Sequence, residues 1–438
     1  MIQDTQHPTD GDVAPVAPVP VKFKKGPDKD ELIKVGSRMP RLGKGAMADL
    51  SWTAAFPLIT SWLYKYYADT YPITKHWDSL KKYMDGVHDQ ASSNPGGLPA
   101  FWTWGDWCAV EARAIATPAT GPELAAFNYI LGLDAMVTMA DAVGEKDDAE
   151  KYKALGASMR VAFKEAFYNT TLRRYAPQSN QADNELLLQS LNVAPLAMAG
   201  SRPDVAASLG IDGLVSKLHE DIVKQDYHLT VGSVGAKHLL PQLSANGLHE
   251  DAMKIATQQT YPSYGWWIAN GATTCWENYE GWPDPEHPPT PTHNHIFLCG
   301  GAGEWMYRSV LGIEPASAGW KKIAVKPLIL ADGPASATGS MATILGKVSV
   351  AWMRADSTGQ LAAAPAASKL EVTIPAGATA TVTIPCAESG QTTITESGKT
   401  VWANGKFVDG VKGVSEPKEQ VLDGVTFEVE SGSYTFAQ

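Results

Sequence analysis

Residues 303–325 read GEWMYRSVLGIEPASAGWKKIAV, and the hydrophobic period changes inside them. Gly303–Leu311 repeats its apolar residues at helical spacing, whereas Ile323-Ala-Val starts an alternation with period two. Gly346-Lys-Val-Ser-Val-Ala-Trp, Leu370-Glu-Val-Thr-Ile-Pro-Ala-Gly-Ala-Thr-Ala-Thr-Val-Thr-Ile-Pro and Gly424-Val-Thr-Phe-Glu-Val continue that alternation. Short Thr/Val strands punctuated by Gly predict an antiparallel β-sandwich over 319–438, with a hairpin turning at Pro375-Ala376-Gly377.

Upstream of the switch the chain reads as helix after helix. Phe56, Leu58, Ile59, Trp62, Leu63 and Tyr66 form one apolar face after Ser51, and Trp77, Leu80 and Tyr83 form another within Ile73–Val87. Further helices are predicted at about Glu123–Val143, Asp147–Phe167, Asp183–Met198, Val215–Lys224, Val231–Leu239 and Glu250–Thr257. No heptad or repeat of 30–40 residues runs through them, which favours a closed toroid of helical hairpins over a solenoid. The opening stretch to about Lys44 is Pro-, Lys- and Gly-rich loop. The expected organisation is therefore a helical domain over 1–318 followed by the β domain.

Composition removes several classes of function. The net charge of −11 repels polyphosphate, so nucleic acid is not an expected partner. The most apolar stretch, Ala125–Val143, is interrupted by Asn128, Asp134 and Asp141, so no membrane span is expected. The first twenty residues lack a basic start and an apolar core, and so are not read as a signal peptide. Cys108, Cys275, Cys299 and Cys386 show no paired spacing, so neither a zinc site nor a disulfide framework is expected. No cofactor motif is present.

The chain has 14 Trp, and seven of them crowd two segments that lack helical pattern. The first, Pro99-Ala-Phe-Trp-Thr-Trp-Gly-Asp-Trp-Cys, holds Trp102, Trp104, Asp106 and Trp107. The second runs from Tyr261 to Trp282 and holds Trp276 and Glu277. Indoles in loops, with carboxylates between them, suit the apolar faces and hydroxyl edges of sugars; plain packing is the competing explanation. Glycosidic cleavage needs a proton donor and a second carboxylate, and the candidates are Asp106, Glu277, Glu280 and Asp284. Glu277 is the best of them, because Trp276 can shield it; a Glu buried against an Arg is the alternative. His293 and His295 are too few for a metal site, with His287 only a guess at a third ligand, and His295 is preferred as a hydrogen-bond donor to sugar.

At this point the residues resemble a known family. Tyr261-Pro-Ser-Tyr-Gly-Trp-Trp-Ile-Ala-Asn-Gly-Ala-Thr-Thr-Cys-Trp-Glu, Asn294-His295, Gly303-Glu-Trp-Met-Tyr-Arg and Leu311-Gly-Ile are similar to the bacterial-type α-L-rhamnosidases. Asp12-Val-Ala-Pro-Val, Gly105-Asp-Trp, His228-Leu-Thr-Val-Gly and Leu239-Leu-Pro-Gln-Leu follow the same family in the same order. The resemblance implies an (α/α)6 barrel with a C-terminal β-sandwich, and an inverting hydrolase acting on a rhamnosylated small molecule or polysaccharide. By the same resemblance Glu277 is the general base, and Trp52, Trp107 and His295 line the rhamnose subsite with Asp106 nearby.

Two departures qualify the expectation. Ser51-Trp-Thr-Ala-Ala stands where the family usually has Trp-Gly-Asp-Ala. The family's general acid lies in an acidic, Arg-containing motif upstream of Asp12-Val-Ala-Pro, and only eleven residues precede that segment here. The acid motif and the leading helices are thus expected to be missing, which leaves the barrel incomplete at its N-terminus and predicts self-association through the exposed edge. A carbohydrate-binding relative without catalysis, and another (α/α)6 glycosidase of trehalase or glucoamylase type with its acid at Asp106 or Glu111, are the alternatives.

Overall fold

The structure is a computed structural model, and it describes residues 49–99, 103–110, 120–176, 188–211, 213–280, 293–354, 367–386, 390–416 and 424–438. From residue 49 to residue 305 the described residues are mainly helical. In order the helices are α1 (Leu50–Thr53), α2 (Ala55–Tyr67), α3 (Tyr71–Ala91), α4 (Gly121–Val143), α5 (Lys146–Phe167) and α6 (Leu188–Ser201). Then follow α7 (Leu214–Lys224), α8 (Ser233–Ala245), α9 (His249–Thr257), α10 (Tyr264–Ala269) and α11 (Phe297–Trp305). A mainly helical N-terminal region with a C-terminal β module is therefore what the period switch foretold.

The helices form where the pattern places them. Ile73, Trp77, Leu80, Tyr83, Met84 and Val87 recur at the helical period and are all buried on α3. Most of α4 is buried, from Leu124 to Ala140, so it has no wet stripe; it ends on Gly144, whose φ of 84° forms a left-handed cap. A buried ion pair ties its neighbours to it: Arg160 of α5 donates to Asp134 of α4 at 2.6 Å and to the Met198 carbonyl of α6 at 3.3 Å. Ser201 adds a third link by donating to Asp134 at 2.6 Å. Two helices depart from expectation. α10 sits inside the Trp-rich segment read as loop, and α11 begins at Phe297 rather than Gly303, its low-propensity Gly300 and Gly301 having hidden the pattern.

A short ribbon of β1 (Tyr168–Asn169) and β2 (Arg174–Tyr175) follows α5. The remaining strands are β3 (Ile313–Pro315), β4 (Lys322–Val325), β5 (Ser336–Thr343), β6 (Gly346–Arg354), β7 (Ala367–Ile374) and β8 (Thr379–Pro385). After them come β9 (Ile394–Glu396), β10 (Lys399–Ala403), β11 (Lys406–Phe407), β12 (Val414–Ser415), β13 (Gly424–Val429) and β14 (Gly432–Ala437). They form a seven-stranded sheet ordered β11-β10-β9-β14-β7-β6-β5 and a five-stranded sheet ordered β12-β13-β8-β4-β3. All neighbours are antiparallel except β4 and β8, which run parallel.

The hairpin expected at Pro375-Ala376-Gly377 is corrected by this topology. β7 pairs with β6 and β14, whereas β8 pairs with β13 and β4, so the turn carries the chain from one sheet to the other. The physical reason lies in the apolar sets. Leu370, Val372 and Ile374 on β7, and Ala380, Val382 and Ile384 on β8, are all buried in the single core that both sheets contribute to. Alternation fixes which face of a strand is dry; it does not name the strand's partner.

The contacts divide the chain into two compact units. One contains the described residues of 49–61, Thr70–Gln242 and Lys254–Cys299. The other contains Trp62–Asp69, Leu243–Met253 and the described residues from Gly300 onward, so it is not contiguous in sequence. Inside this second unit Trp305 donates from Nε1 to Ser244 Oγ at 2.7 Å, and Tyr66 packs on Trp320 at 6.2 Å between ring centroids. Among the described residues no helix is long and apolar enough to cross a membrane.

Glu123, in the first turn of α4, is fully buried, and neither carboxyl oxygen has a hydrogen-bond partner among the described residues. Burial pushes its pKa well above the usual carboxyl range. A carboxyl raised in the folded state costs stability as pH climbs from its unfolded pKa, near 4.3, towards its folded one, at ~1.4 kcal/mol per pH unit. Glu123→Gln should therefore match the parent near pH 4 and exceed it in stability at pH 7–8. Chemical denaturation at the two pH values checks this; an equal difference at both would refute it.

Candidate active site

The site is assembled from loops, and two buried carboxylates fix their positions. Asp49 begins α1: its Oδ1 accepts from Ser51 N at 2.9 Å, the bond expected of an N-cap. Its Oδ2 accepts from Thr103 Oγ1 at 2.9 Å and Trp104 N at 2.7 Å, so the same side chain clamps α1 to the first Trp loop. Burial raises the Asp49 pKa, against the pull of the Trp104 and Ser51 amides. Trp52 is thereby set edge-on to Trp104 and Trp107, at 6.2 and 6.3 Å between centroids, and tilted against Phe297 at 5.1 Å.

Asp106 performs the second clamp. Its Oδ1 accepts from the amides of Val234 and Gly235 at 2.8 and 3.1 Å, and its Oδ2 from Gly232 N at 2.6 Å and from Ser190 Oγ. These amides are the leading N–H groups of α8, which carry partial positive charge and have no partner within the helix. Burial raises the carboxyl's pKa, opposed by the Ser190, Gly232, Gly235 and Val234 hydrogen bonds. Ser233 N also donates to the Trp107 carbonyl at 2.8 Å. The approach is so close that a Cβ on Gly232 would lie 2.4 Å from the Trp107 carbonyl oxygen and 2.6 Å from that of Asp106. Only glycine fits there.

The second Trp segment is anchored from behind. Trp267 of α10 stacks on Tyr279 at 5.5 Å and donates from Nε1 to the Tyr279 carbonyl at 3.0 Å. Tyr279 in turn donates its hydroxyl to the Val231 carbonyl at 2.9 Å. Trp276 packs between Trp267 at 6.2 Å and the imidazole of His293 at 5.0 Å. Glu277 lies between these anchors, with its side chain 18% exposed.

What Glu277 faces is the centre of the site. Trp107 donates from Nε1 to Glu277 Oε1 at 3.3 Å, and His295 Nε2 lies 3.9 Å from the same oxygen. His295 packs against Phe297 at 4.0 Å, and its Nδ1 is buried with no hydrogen-bond partner among the described residues. Its backbone N–H donates to the Cys275 carbonyl at 2.8 Å. A carboxylate thus meets an indole N–H, an imidazole and an aromatic wall, from positions 170 residues apart in the case of Trp107 and Glu277.

Of the expected residues, Trp52, Trp107, Glu277 and His295 come together. Asp106 does not face a ligand: it is 0% exposed and its oxygens serve α8 and Ser190, so its placement as a sugar contact is corrected. Trp276 is 5% exposed, with Trp267 and His293 against its ring. The reading of the cysteines is corrected too, because Cys275 and Cys299 form a disulfide. Asp49, Ser190 and Phe297 were missed; an Asp just before an apolar helical run is a capping signal that pointed to the first. Trp102, Glu111, Trp282, Asp284 and His287 lie outside the described residues.

Comparison with known proteins bears on the same residues. A family model described as the bacterial alpha-L-rhamnosidase 6 hairpin glycosidase domain matches residues 25–310. A second, the bacterial alpha-L-rhamnosidase C-terminal domain, matches 312–399. An alpha-L-rhamnosidase of Streptomyces avermitilis is 29% identical over 314 residues, which is 70% of this chain and 27% of that relative's length. The solved structure of an alpha-L-rhamnosidase from Dictyoglumus thermophilum superposes with a TM-score of 0.74 at 24% identity, over 99% of this chain and 42% of that one. A Streptomyces avermitilis alpha-L-rhamnosidase complexed with L-rhamnose gives a TM-score of 0.72 at 25% identity, over 100% and 35%. The chain spans roughly a quarter to a third of the length of the curated relatives it matches.

The Asp106 clamp makes a direct prediction. Asp106→Ala strands the leading amides of α8 and the Ser190 hydroxyl in a dry environment, and should cost on the order of 3–5 kcal/mol. Asp106→Asn, which keeps one acceptor oxygen, should cost less. Urea denaturation of both variants tests the ranking; equal losses would contradict it.

Proposed function

The chain belongs to the bacterial α-L-rhamnosidase family, and on that premise we propose that it hydrolyses terminal α-L-rhamnosides with inversion, using Glu277 as general base. The observation that supports this most is the single carboxylate oxygen held between Trp107 Nε1 and His295 Nε2. The indole hydrogen bond fixes the orientation of the carboxyl group without neutralising it. A water bound to Glu277 then gives up its proton as its oxygen attacks the anomeric carbon. The new C–O bond forms on one face of the sugar as the bond to the aglycone breaks on the other; the departing oxygen takes a proton from solvent water, and Glu277 returns the proton it received to solvent.

The surrounding rings give the sugar its place. Trp52, Trp107 and Phe297 supply an apolar wall for a ring face, and His295 supplies a hydrogen bond to a sugar hydroxyl. The substrate class is a rhamnosylated small molecule or polysaccharide. The second domain is taken to begin at residue 319, just after β3, which already pairs with β4 in its five-stranded sheet.

Kinetics on an aryl α-L-rhamnoside with an acidic leaving group isolate the base, because such a leaving group needs little protonation. Glu277→Gln should lower kcat by about 10²–10⁴-fold, the typical contribution of a general base, while L-rhamnose binding by calorimetry persists. Trp107→Phe, which removes the N–H and keeps a ring, should lower kcat with a smaller change in KM. Unchanged turnover in Glu277→Gln would overturn the assignment. Rhamnose binding without turnover in the parent would instead favour a binding protein.

A further inference from the structure

Glu277 and His295 sit on different segments, and a covalent bond joins those segments. Cys275 lies two residues before Glu277 and Cys299 four residues after His295, and the two are disulfide-bonded with their Cα atoms 6.2 Å apart. The other ties seen between these segments are non-covalent. They include the His295 amide on the Cys275 carbonyl at 2.8 Å, the Thr274 hydroxyl on the His293 carbonyl, the Trp276–His293 stack at 5.0 Å and the approach of His295 Nε2 to Glu277 Oε1 at 3.9 Å. Thr274 and His293 are both exposed, so water competes for the hydroxyl bond.

We propose that the Cys275–Cys299 disulfide is a reducible positioning tie, which holds Glu277 and His295 in register and loosens them when an external dithiol opens it. The inference rests on the hydrolase reading above. Both cysteines are partly exposed, so a small dithiol reaches the bond, whereas the free Cys108 and Cys386 are buried. Cys108 lies close enough to Glu277 for the carboxylate to act on it. Burial, then Glu277 and Asp106, push its thiol pKa far up and keep it protonated. The thiolate is the form that attacks a disulfide, so Cys108 does not scramble this one from within.

The chemistry balances. One thiolate of the dithiol attacks a sulfur of the pair to give a mixed disulfide, and its second thiolate closes a cyclic disulfide on the reagent. Two electrons pass to the protein, two protons follow, and Cys275 and Cys299 become thiols. A disulfide oxidant reverses each step.

The test uses the intact chain, with and without dithiothreitol, and differential alkylation to show which cysteines are bonded. Opening the bond should speed amide hydrogen exchange in 272–280 and 293–299 by about tenfold or more. It should also lower kcat on an aryl α-L-rhamnoside by between about tenfold and a hundredfold, the scale set by a misplacement of roughly 1 Å. Reoxidation should restore both. The Cys275→Ser/Cys299→Ser double variant should match the reduced parent and ignore dithiothreitol. Recovery of Cys275 and Cys299 as free thiols from untreated protein would overturn the proposal. So would unchanged exchange in protein shown to be reduced at both positions, whatever the turnover. Faster exchange in a protein that turns over no rhamnoside in either state would uphold the tie and refute the hydrolase reading instead.

Discussion

An α-helix starts with backbone N–H groups that have no partner inside the helix, and an end buried without an acceptor is costly. At α8 the acceptor is Asp106, whose two oxygens take the amides of Gly232, Val234 and Gly235 together with the Ser190 hydroxyl. Residue 107 follows directly, and its carbonyl accepts from the next amide of the same helix, Ser233. Once that end of α8 is satisfied, Trp107 has little freedom left. Its indole N–H then falls on Glu277. The position of the candidate base's partner is thus a consequence of a helix end needing an acceptor.

The same device recurs at Asp49, which caps α1 and holds Thr103 and Trp104. Both carboxylates are buried, both have raised pKa values from that burial, and both are saturated by donors. They spend their charge on architecture. Glu277 differs in kind: it is part-exposed and meets an indole and an imidazole rather than a row of amides. Three carboxylates near one cluster of Trp residues therefore sit in two kinds of environment, and the proposed base is the one that faces an indole and an imidazole.

Much of this was legible in the chain. The change from a period near 3.6 to a period of two separates the helices from the strands, because each period records which faces are dry. Partners are another matter. Leu370–Ile374 and Ala380–Ile384 alternate correctly, yet lie in opposite sheets, since alternation says nothing about which strand lies alongside. In the site, residue type and loop context pointed to Trp107, Glu277 and His295, and only the family resemblance added Trp52. They could not tell that Asp106 serves amides 126 to 129 positions away, or that Trp276 is itself buried with Trp267 and His293 against its ring. A disulfide across 24 residues escapes a reading based on short paired spacings. What stayed hidden depends on long-range contact rather than on local pattern.

The central claim is that a water activated by Glu277 attacks the sugar from the face opposite the leaving group. Proton NMR of the first anomer released from an aryl α-L-rhamnoside, read before mutarotation, tests it most directly. Attack by that water predicts β-L-rhamnose as the first product, with the α anomer growing only as the solution equilibrates. Release of α-L-rhamnose first would mean that the carboxylate, or another group, attacks the sugar covalently, and would contradict the role assigned to Glu277.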